Sequence, residues 1–245
     1  MAKNAYGDLR INGSGTASGG TYSSVKISGS GKINGDLNCR EFVINGSGEV
    51  IGKIETERFR INGSGHILGD LKAQELKVNG SANLDGGVNG DNIVISGSAD
   101  FKNGLDTQQI KIDGSVKIGG DCNAEQFHSN GVFEIGGLLN ADDVEVHLYW
   151  HKSRAREIGG GKITVSLGDS AGMSFLKSIF TLGLHNPVLE TDTIEGDEIY
   201  LENTTAKVVR GNNITIGQGC DIGLVEYKGS YQKNGDAKVA QEQKI

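Results

Sequence analysis

The stretch INGSGEVIGKIETERFRINGSG, residues 44–65, contains one full period of the pattern that decides the fold. It begins and ends with the same motif, an apolar residue, an asparagine, a glycine and a serine, and Ile61 stands seventeen positions after Ile44. Within the period, apolar residues stand two positions apart, as Phe59 and Ile61 do. This spacing is typical of a strand with one buried face.

The motif recurs along the first half of the chain. Its leading positions are Ile11, Ile27, Ile44, Ile61, Val78, Ile95 and Ile112, and the pattern decays at Ser129. The first step is sixteen positions and each of the other six is seventeen. Six positions after each leading residue from Ile27 onward, a second apolar column reads Ile33, Val50, Ile67, Leu84, Phe101, Ile118 and Ile135. A repeat of this length indicates a solenoid.

Three short strands in every period predict an all-β fold, a parallel β-helix in which each period of seventeen forms one three-strand coil. Equivalent residues of successive coils then stack about 4.8 Å apart. Glycine at the motif and six positions later, as at Gly46 and Gly52, is expected at corners with positive φ. Pro187 is the single proline, as expected where nearly every backbone N–H donates to a neighbouring coil.

The pattern divides the chain into four parts. Coils are predicted over residues 1–168, a short helical or loop insertion rich in apolar residues over 169–190, further coils over 191–228, and a polar tail over 229–245.

Within the second set of coils, Ile199 and Ile216 are separated by one full period, as are Val208 and Val225. These spacings predict two or so further coils in this part of the chain.

The insertion carries apolar residues at helical spacing. Two interpretations stay open: a short helix or loop that packs on the β-helix, or a contact with a membrane surface or a partner protein. The basic residues nearby, Lys152, Arg154, Arg156 and Lys162, favour the second. The candidate contact residues are Met173, Phe175, Leu176, Ile179 and Phe180.

Charge and composition exclude several function classes. A net charge of −7 argues against nucleic acid as a partner. The first ten residues lack the apolar core of a signal peptide, which favours a cytoplasmic location, with the inner face of the cell membrane as an alternative. Cys39 and Cys122 occupy inward columns and are expected in the core. The five histidines share no column or H-E-x-x-H arrangement. We therefore expect no catalytic, cofactor or metal residues, and no enzyme.

These coils resemble the bactofilins, a family of polymer-forming bacterial cytoskeletal proteins. The Ile-Asn-Gly-Ser-Gly motifs at 44–48 and 61–65 and the Gly-Asp-Leu steps at 35–37 and 69–71 are similar to that family, and residues 199–227 are similar to its longer Firmicute-type branch. The resemblance implies a right-handed β-helix that polymerises end to end without nucleotide. It implies a scaffold for cell shape, envelope or motility processes, with itself, the membrane surface and envelope or motility proteins as partners.

Two other functions remain as alternatives: a hexapeptide-like β-helix acyltransferase, whose coils divide into sixes and fit this spacing poorly, and a non-polymerising β-helical binding module. For a polymer, the first coil presents unpaired strand edges, and Leu9 and Ile11 are the candidate contacts there. A second face is predicted at Val225 and Tyr227.

Overall fold

The computed structural model describes residues 6–149, 151–168 and 187–245, and every regular element in those ranges is a β-strand. The chain divides into two compact units, residues 1–121 (unit 1) and 122–245 (unit 2). In both units the strands pair in parallel, so the predicted all-β parallel solenoid is confirmed.

Unit 1 contains twelve strands in the described residues, and from β3 onward longer and shorter strands alternate. They are β1 (Asp8–Ile11), β2 (Ser14–Ile27), β3 (Ser30–Ile44), β4 (Ser47–Ile51), β5 (Ile54–Ile61), β6 (Ser64–Ile67), β7 (Leu71–Val78), β8 (Ser81–Leu84), β9 (Val88–Ile95), β10 (Ser98–Phe101), β11 (Leu105–Ile112) and β12 (Ser115–Ile118).

The register of unit 1 follows the sequence repeat. Ile54 of β5 pairs with Leu71 of β7, and Ser47 of β4 pairs with Ser64 of β6, each one full period further along. The first step is one residue shorter, since Leu9 pairs with Val25. The apolar columns therefore become ladders that run through successive coils.

Each coil has three faces, as predicted. Two of the three predicted strands are joined into one continuous strand that changes face, and the third strand is separate. In β5, Ile54, Thr56, Phe59 and Ile61 are buried, while the adjacent Glu57 and Arg58 are both exposed. Two consecutive exposed residues break the period of two, so the chain changes face there. The four-residue strand β6 supplies the third face.

The core of unit 1 is the interior of the coil. Its largest fully buried side chains are Phe42, Phe59, Phe101, Ile27, Ile33, Leu37, Ile44, Ile54, Ile61 and Ile67. All occupy columns that the repeat marks as inward.

The motif glycines are required for a different reason than the sequence predicts. Gly35 and Gly52 do have positive φ, at 105° and 148°. Gly46 is not among the positive-φ residues; instead, a Cβ added there would overlap the carbonyl oxygen of Gly29 in the preceding coil. The prediction of positive φ at the motif glycine is therefore wrong, because close approach between coils, not backbone conformation, excludes a side chain.

Unit 2 has longer strands and a less regular register. The strands are β13 (Cys122–Ser129), β14 (Val132–Leu148), β15 (Ser153–Leu167), β16 (Leu189–Leu201), β17 (Thr204–Ile216), β18 (Asp221–Lys233) and β19 (Lys238–Lys244).

The one-period spacings in the C-terminal coils do not set the strand pairing there. Ile199 pairs with Ile214, not with Ile216, because the step between these two coils is two residues shorter than the repeat of unit 1. Val225 pairs with Val209, which is buried, while Val208 is half-exposed. A pair of adjacent valines satisfies a period of two in either phase, so the sequence alone could not select the inward one.

Residues 229–245, predicted as a polar tail, carry strand residues in this structure: β18 continues to Lys233 and β19 spans Lys238–Lys244. β19 is mostly exposed and polar, and it pairs with β18.

Nowhere in the described part of the chain is there a helix with the length and apolar character needed to cross a membrane.

Candidate assembly edges

The N-terminal edge of unit 1 consists of β1 and the first part of β2. Among the described residues, β1 pairs with β2 alone, and residues 14–18 of β2 pair only with β3. Their opposite backbone groups are therefore placed to pair with a further strand.

The side chains of this edge are less buried than their equivalents one coil further on. Leu9 is half-buried, whereas its partner Val25 is 1% exposed. Ile11 is 8% exposed and Ile27 is fully buried. The candidate contacts Leu9 and Ile11 thus lie in the coil whose apolar side chains are incompletely covered.

Gly13 marks the same edge through its free space. In the coils that follow, a Cβ added to the motif glycine would overlap a carbonyl oxygen of the preceding coil, as at Gly29, Gly46 and Gly63. At Gly13 no atom of the described residues lies within 4 Å of such a Cβ. A side chain at this position would therefore occupy the space that a preceding coil would fill.

The sides of unit 1 are polar and are held together between coils. The amide of Asn62 donates a hydrogen bond to Oδ1 of Asn45 at 2.8 Å, and Asn79 donates to Asn62 at 2.7 Å. Lys32 pairs with Glu49 at 2.6 Å and lowers the pKa of that carboxyl group. Exposed pairs of this kind individually add little to the free energy of unfolding. Their main effects are therefore on solubility and on the register between coils.

The two candidate contacts of the predicted second face lie on β18, which pairs with β19. Val225 is fully buried and pairs with Glu242 of β19, and Tyr227 is half-buried, with its ring stacked 5.3 Å from that of Tyr231. Within residues 187–245, the strand outside Val225 is β19, whose residues are largely exposed and charged or amide-bearing. Lysines on an edge strand disfavour pairing with another chain.

The basic residues expected to favour a membrane contact are partly neutralised. Lys152 and Arg154 both bind Glu190, at 2.5 and 2.6 Å, and these two bonds hold the pKa of Glu190 below its usual range. The candidate contact residues Met173, Phe175, Leu176, Ile179 and Phe180 lie outside the described residues.

The cysteines lie in the core, as predicted for Cys39 and Cys122. Cys39, Cys122 and Cys220 are 5%, 0% and 2% exposed. Burial raises the pKa of the Cys220 thiol to about 11. These thiols are placed for packing and not for nucleophilic chemistry.

Sequence reasoning missed one cluster of potential metal-ligating side chains. His128 of β13 and Glu145 of β14 are register partners on successive coils, and His147 lies two positions after Glu145 on the same face. The hydrogen bond from His128 is the main cause that lowers the pKa of Glu145. The sequence does carry a signal for this cluster, because His128 and Glu145 are one seventeen-residue period apart. Detecting it requires that histidine positions be compared with carboxylate positions as well as with each other.

In comparison with known proteins, one family model matches part of this chain. Residues 3–89 match the family model of bactofilin, described as polymer-forming cytoskeletal. Two proteins of Bacillus subtilis (strain 168) are similar to this chain: YhbE is 40% identical over 104 residues and YhbF is 35% identical over 103 residues, and both are described as uncharacterized. Each match covers 42% of this chain and about two fifths of the relative, 41% for YhbE and 40% for YhbF. No solved structure matches.

Proposed function

We propose that this chain, whose residues 3–89 match the polymer-forming bactofilin family, is a structural subunit of a cytoskeletal scaffold that assembles end to end without nucleotide. The proposal places a polymer contact on the N-terminal edge of unit 1. It assigns no catalytic role to the protein.

One observation carries the proposal: β1 and residues 14–18 of β2 present backbone groups that no described strand pairs, beside a partly covered apolar coil. A second copy could extend the strand ladder there by strand addition, with Leu9 and Ile11 buried between the copies. The hydrogen bonds and the apolar burial that hold one coil to the next would then also hold the copies together, so nucleotide hydrolysis is not needed to drive assembly.

Gly13 offers a substitution that separates assembly from folding. Because no atom of the described part of the chain lies within 4 Å of an added Cβ, Gly13→Ala should leave the single chain intact. A second copy seated in register would bring a backbone carbonyl to that Cβ, as Gly29 brings its own to Gly46. Gly13→Ala should therefore shorten or abolish filaments. Gly87→Ala is the matched control, since Gly87 is exposed and its nearest neighbour is the Asp70 carboxylate at 3.8 Å.

The experiment is negative-stain electron microscopy with sedimentation, on protein treated with apyrase to remove nucleotide. Wild type and Gly87→Ala should form filaments, while Gly13→Ala and Leu9→Glu should sediment as short species with unchanged circular dichroism. Filaments of equal length in all four proteins would overturn the assignment of this edge. Absence of filaments in the wild type would overturn the polymer itself.

The membrane prediction for residues 170–184 has its own measurement. Two alternatives remain: the segment packs on the fold of a cytoplasmic protein, or it attaches to the inner face of the cell membrane. Liposome flotation distinguishes them. Attachment requires that the wild type floats and that a Phe175, Ile179 and Phe180 triple glutamate variant does not. If the segment packs on the fold, the wild type stays at the bottom and the triple variant unfolds at lower temperature.

A further inference from the structure

Three potential metal ligands converge on one face of unit 2. Nδ1 of His128 lies 3.0 Å from Oε2 of Glu145, and Nε2 of His147 lies 3.1 Å from Oε1 of the same carboxylate. The ligand atoms of the three residues all lie within 4.8 Å of one another. The two imidazole rings meet edge to face with centroids 5.5 Å apart, so the two ring nitrogens approach the carboxylate from different directions.

The backbone fixes this arrangement. His128 and Glu145 are direct neighbours across the β13–β14 ladder, and Glu145 and His147 are two positions apart on β14, so all three side chains project from the same face. Parallel pairing along both strands holds their spacing before any ligand binds, which reduces the ordering cost of binding.

A fourth residue orients His147. Nδ1 of His147 lies 3.0 Å from the hydroxyl of Ser166, its partner on β15. A serine hydroxyl can donate or accept a hydrogen bond, so it can hold His147 whichever ring nitrogen carries the proton. With the proton on Nδ1, Nε2 of His147 carries the lone pair, and that nitrogen lies 3.1 Å from Oε1 of Glu145. Metal-binding histidines usually have a partner of this kind on the second ring nitrogen.

We propose that His128, Glu145 and His147 bind a divalent transition-metal ion, with Zn²⁺ as the reference ion. Two imidazole nitrogens and one carboxylate oxygen suit Zn²⁺, Ni²⁺ or Cu²⁺, whereas Mg²⁺ and Ca²⁺ prefer oxygen ligands throughout. Zn²⁺ bonds of about 2.0–2.2 Å place tetrahedral ligand atoms about 3.3 Å apart. The two imidazoles face different oxygens of Glu145, at 3.0 and 3.1 Å, so binding draws ligand atoms that lie within 4.8 Å of one another onto one centre. Binding requires that each ligating nitrogen loses its proton, either to the other ring nitrogen or to solvent.

The cluster is accessible to an ion from solvent. The side chains of His128, Glu145 and His147 are 32%, 48% and 28% exposed. Three protein ligands leave at least one coordination position to water. A metal bound there joins β13 to β14 through side chains, so it should stabilise unit 2 by an amount that grows with the logarithm of the free Zn²⁺ concentration above Kd.

The test is isothermal titration of the full, tag-free chain, treated with EDTA and dialysed, with ZnCl₂ and separately with MgCl₂. One Zn²⁺ per chain should bind, and Mg²⁺ should not compete. His147→Gln and Glu145→Gln should each weaken Zn²⁺ binding by about tenfold or more, and Ser166→Ala should weaken it by about tenfold through the lost orientation of His147. The thermal midpoint should rise with Zn²⁺ in the wild type and not in His147→Gln.

His66→Gln provides the matched control, because His66 pairs with a single carboxylate, Asp85, at 3.0 Å in unit 1. It should bind Zn²⁺ as the wild type does. X-ray absorption at the zinc edge, measured on the wild type alone, should report two imidazole ligands and does not depend on the folding of any variant. No Zn²⁺ binding by the wild type, binding unchanged by His147→Gln, or an absorption spectrum without imidazole would each overturn the proposal.

Discussion

The rings of Phe42 and Phe59 lie face to face, with centroids 4.5 Å apart and planes 2° from parallel. The two residues are register partners on β3 and β5, and both are essentially inaccessible to solvent. The ring separation is close to the spacing between neighbouring strands, so the stack repeats the backbone geometry in the core. Each phenylalanine therefore packs against its equivalent in the neighbouring coil, so one side chain contributes to the packing of two coils.

Phe59→Ala should lower the free energy of unfolding by about 3–5 kcal/mol, because it removes a buried ring and leaves a cavity against Phe42. Phe59→Leu should cost less, since it keeps most of the apolar volume. Urea denaturation followed by circular dichroism measures both. Equal losses in the two variants would contradict a packing origin.

Gly63→Ala should destabilise unit 1 by about 2 kcal/mol or more, because the added methyl overlaps the carbonyl oxygen of Gly46 and backbone cannot give way as a side chain can. Gly87→Ala, with only a carboxylate oxygen at 3.8 Å, should be within about 0.5 kcal/mol of the wild type. The comparison of thermal midpoints checks this prediction. A neutral Gly63→Ala would mean that the coils are spaced more widely than described.

Glu190 should make the stability of unit 2 depend on pH. Its pKa is lowered chiefly by the hydrogen bond from Arg154 and next by that from Lys152. A carboxyl group with a depressed folded-state pKa stabilises the fold above its unfolded pKa of about 4.3, and that contribution disappears as the pH falls through the folded pKa.

Glu190→Gln should therefore reduce stability at pH 7, by up to about 1 kcal/mol for so exposed a pair, and the loss should be smaller at pH 3 than at pH 7. Denaturation midpoints at the two pH values measure the difference, with Glu55→Gln as an exposed control. An effect of Glu190→Gln that is the same at both pH values would exclude the ion pairs as its cause.

The thiols of Cys39, Cys122 and Cys220 should resist labelling in the folded protein. Each is nearly inaccessible, and the pKa of Cys220, raised to about 11 by burial, leaves little thiolate at pH 8. A chromogenic disulfide reagent should react slowly with the native protein and rapidly in urea. Fast reaction of one thiol under native conditions would show that its coil opens locally.

The sequence predicted unit 1 in detail because one signal repeats there without interruption. From Ile27 to Ile112 the constant spacing of the motif sets both the fold and the register, and the structure pairs residues at that spacing from β3 onward. The N-terminal edge at Leu9 and Ile11 follows from the same register, since β1 opens the first coil.

Three features depended on the tertiary structure. The repeat marks where glycine occurs, but only the distance between coils explains why Gly46 excludes a side chain. In unit 2 the step from Ile199 to Ile214 is shorter than the repeat of unit 1, and a period-two pattern without a fixed coil length permits more than one pairing. The cluster of His128, Glu145 and His147 forms only when β13 pairs with β14 and the three side chains lie on the same face of that ladder. Residues on neighbouring coils are distant in sequence and become adjacent only after the strands pair. The sequence determined the period and the apolar columns of this protein through local alternation, whereas the spacing between coils and the contacts across them were decided by tertiary packing.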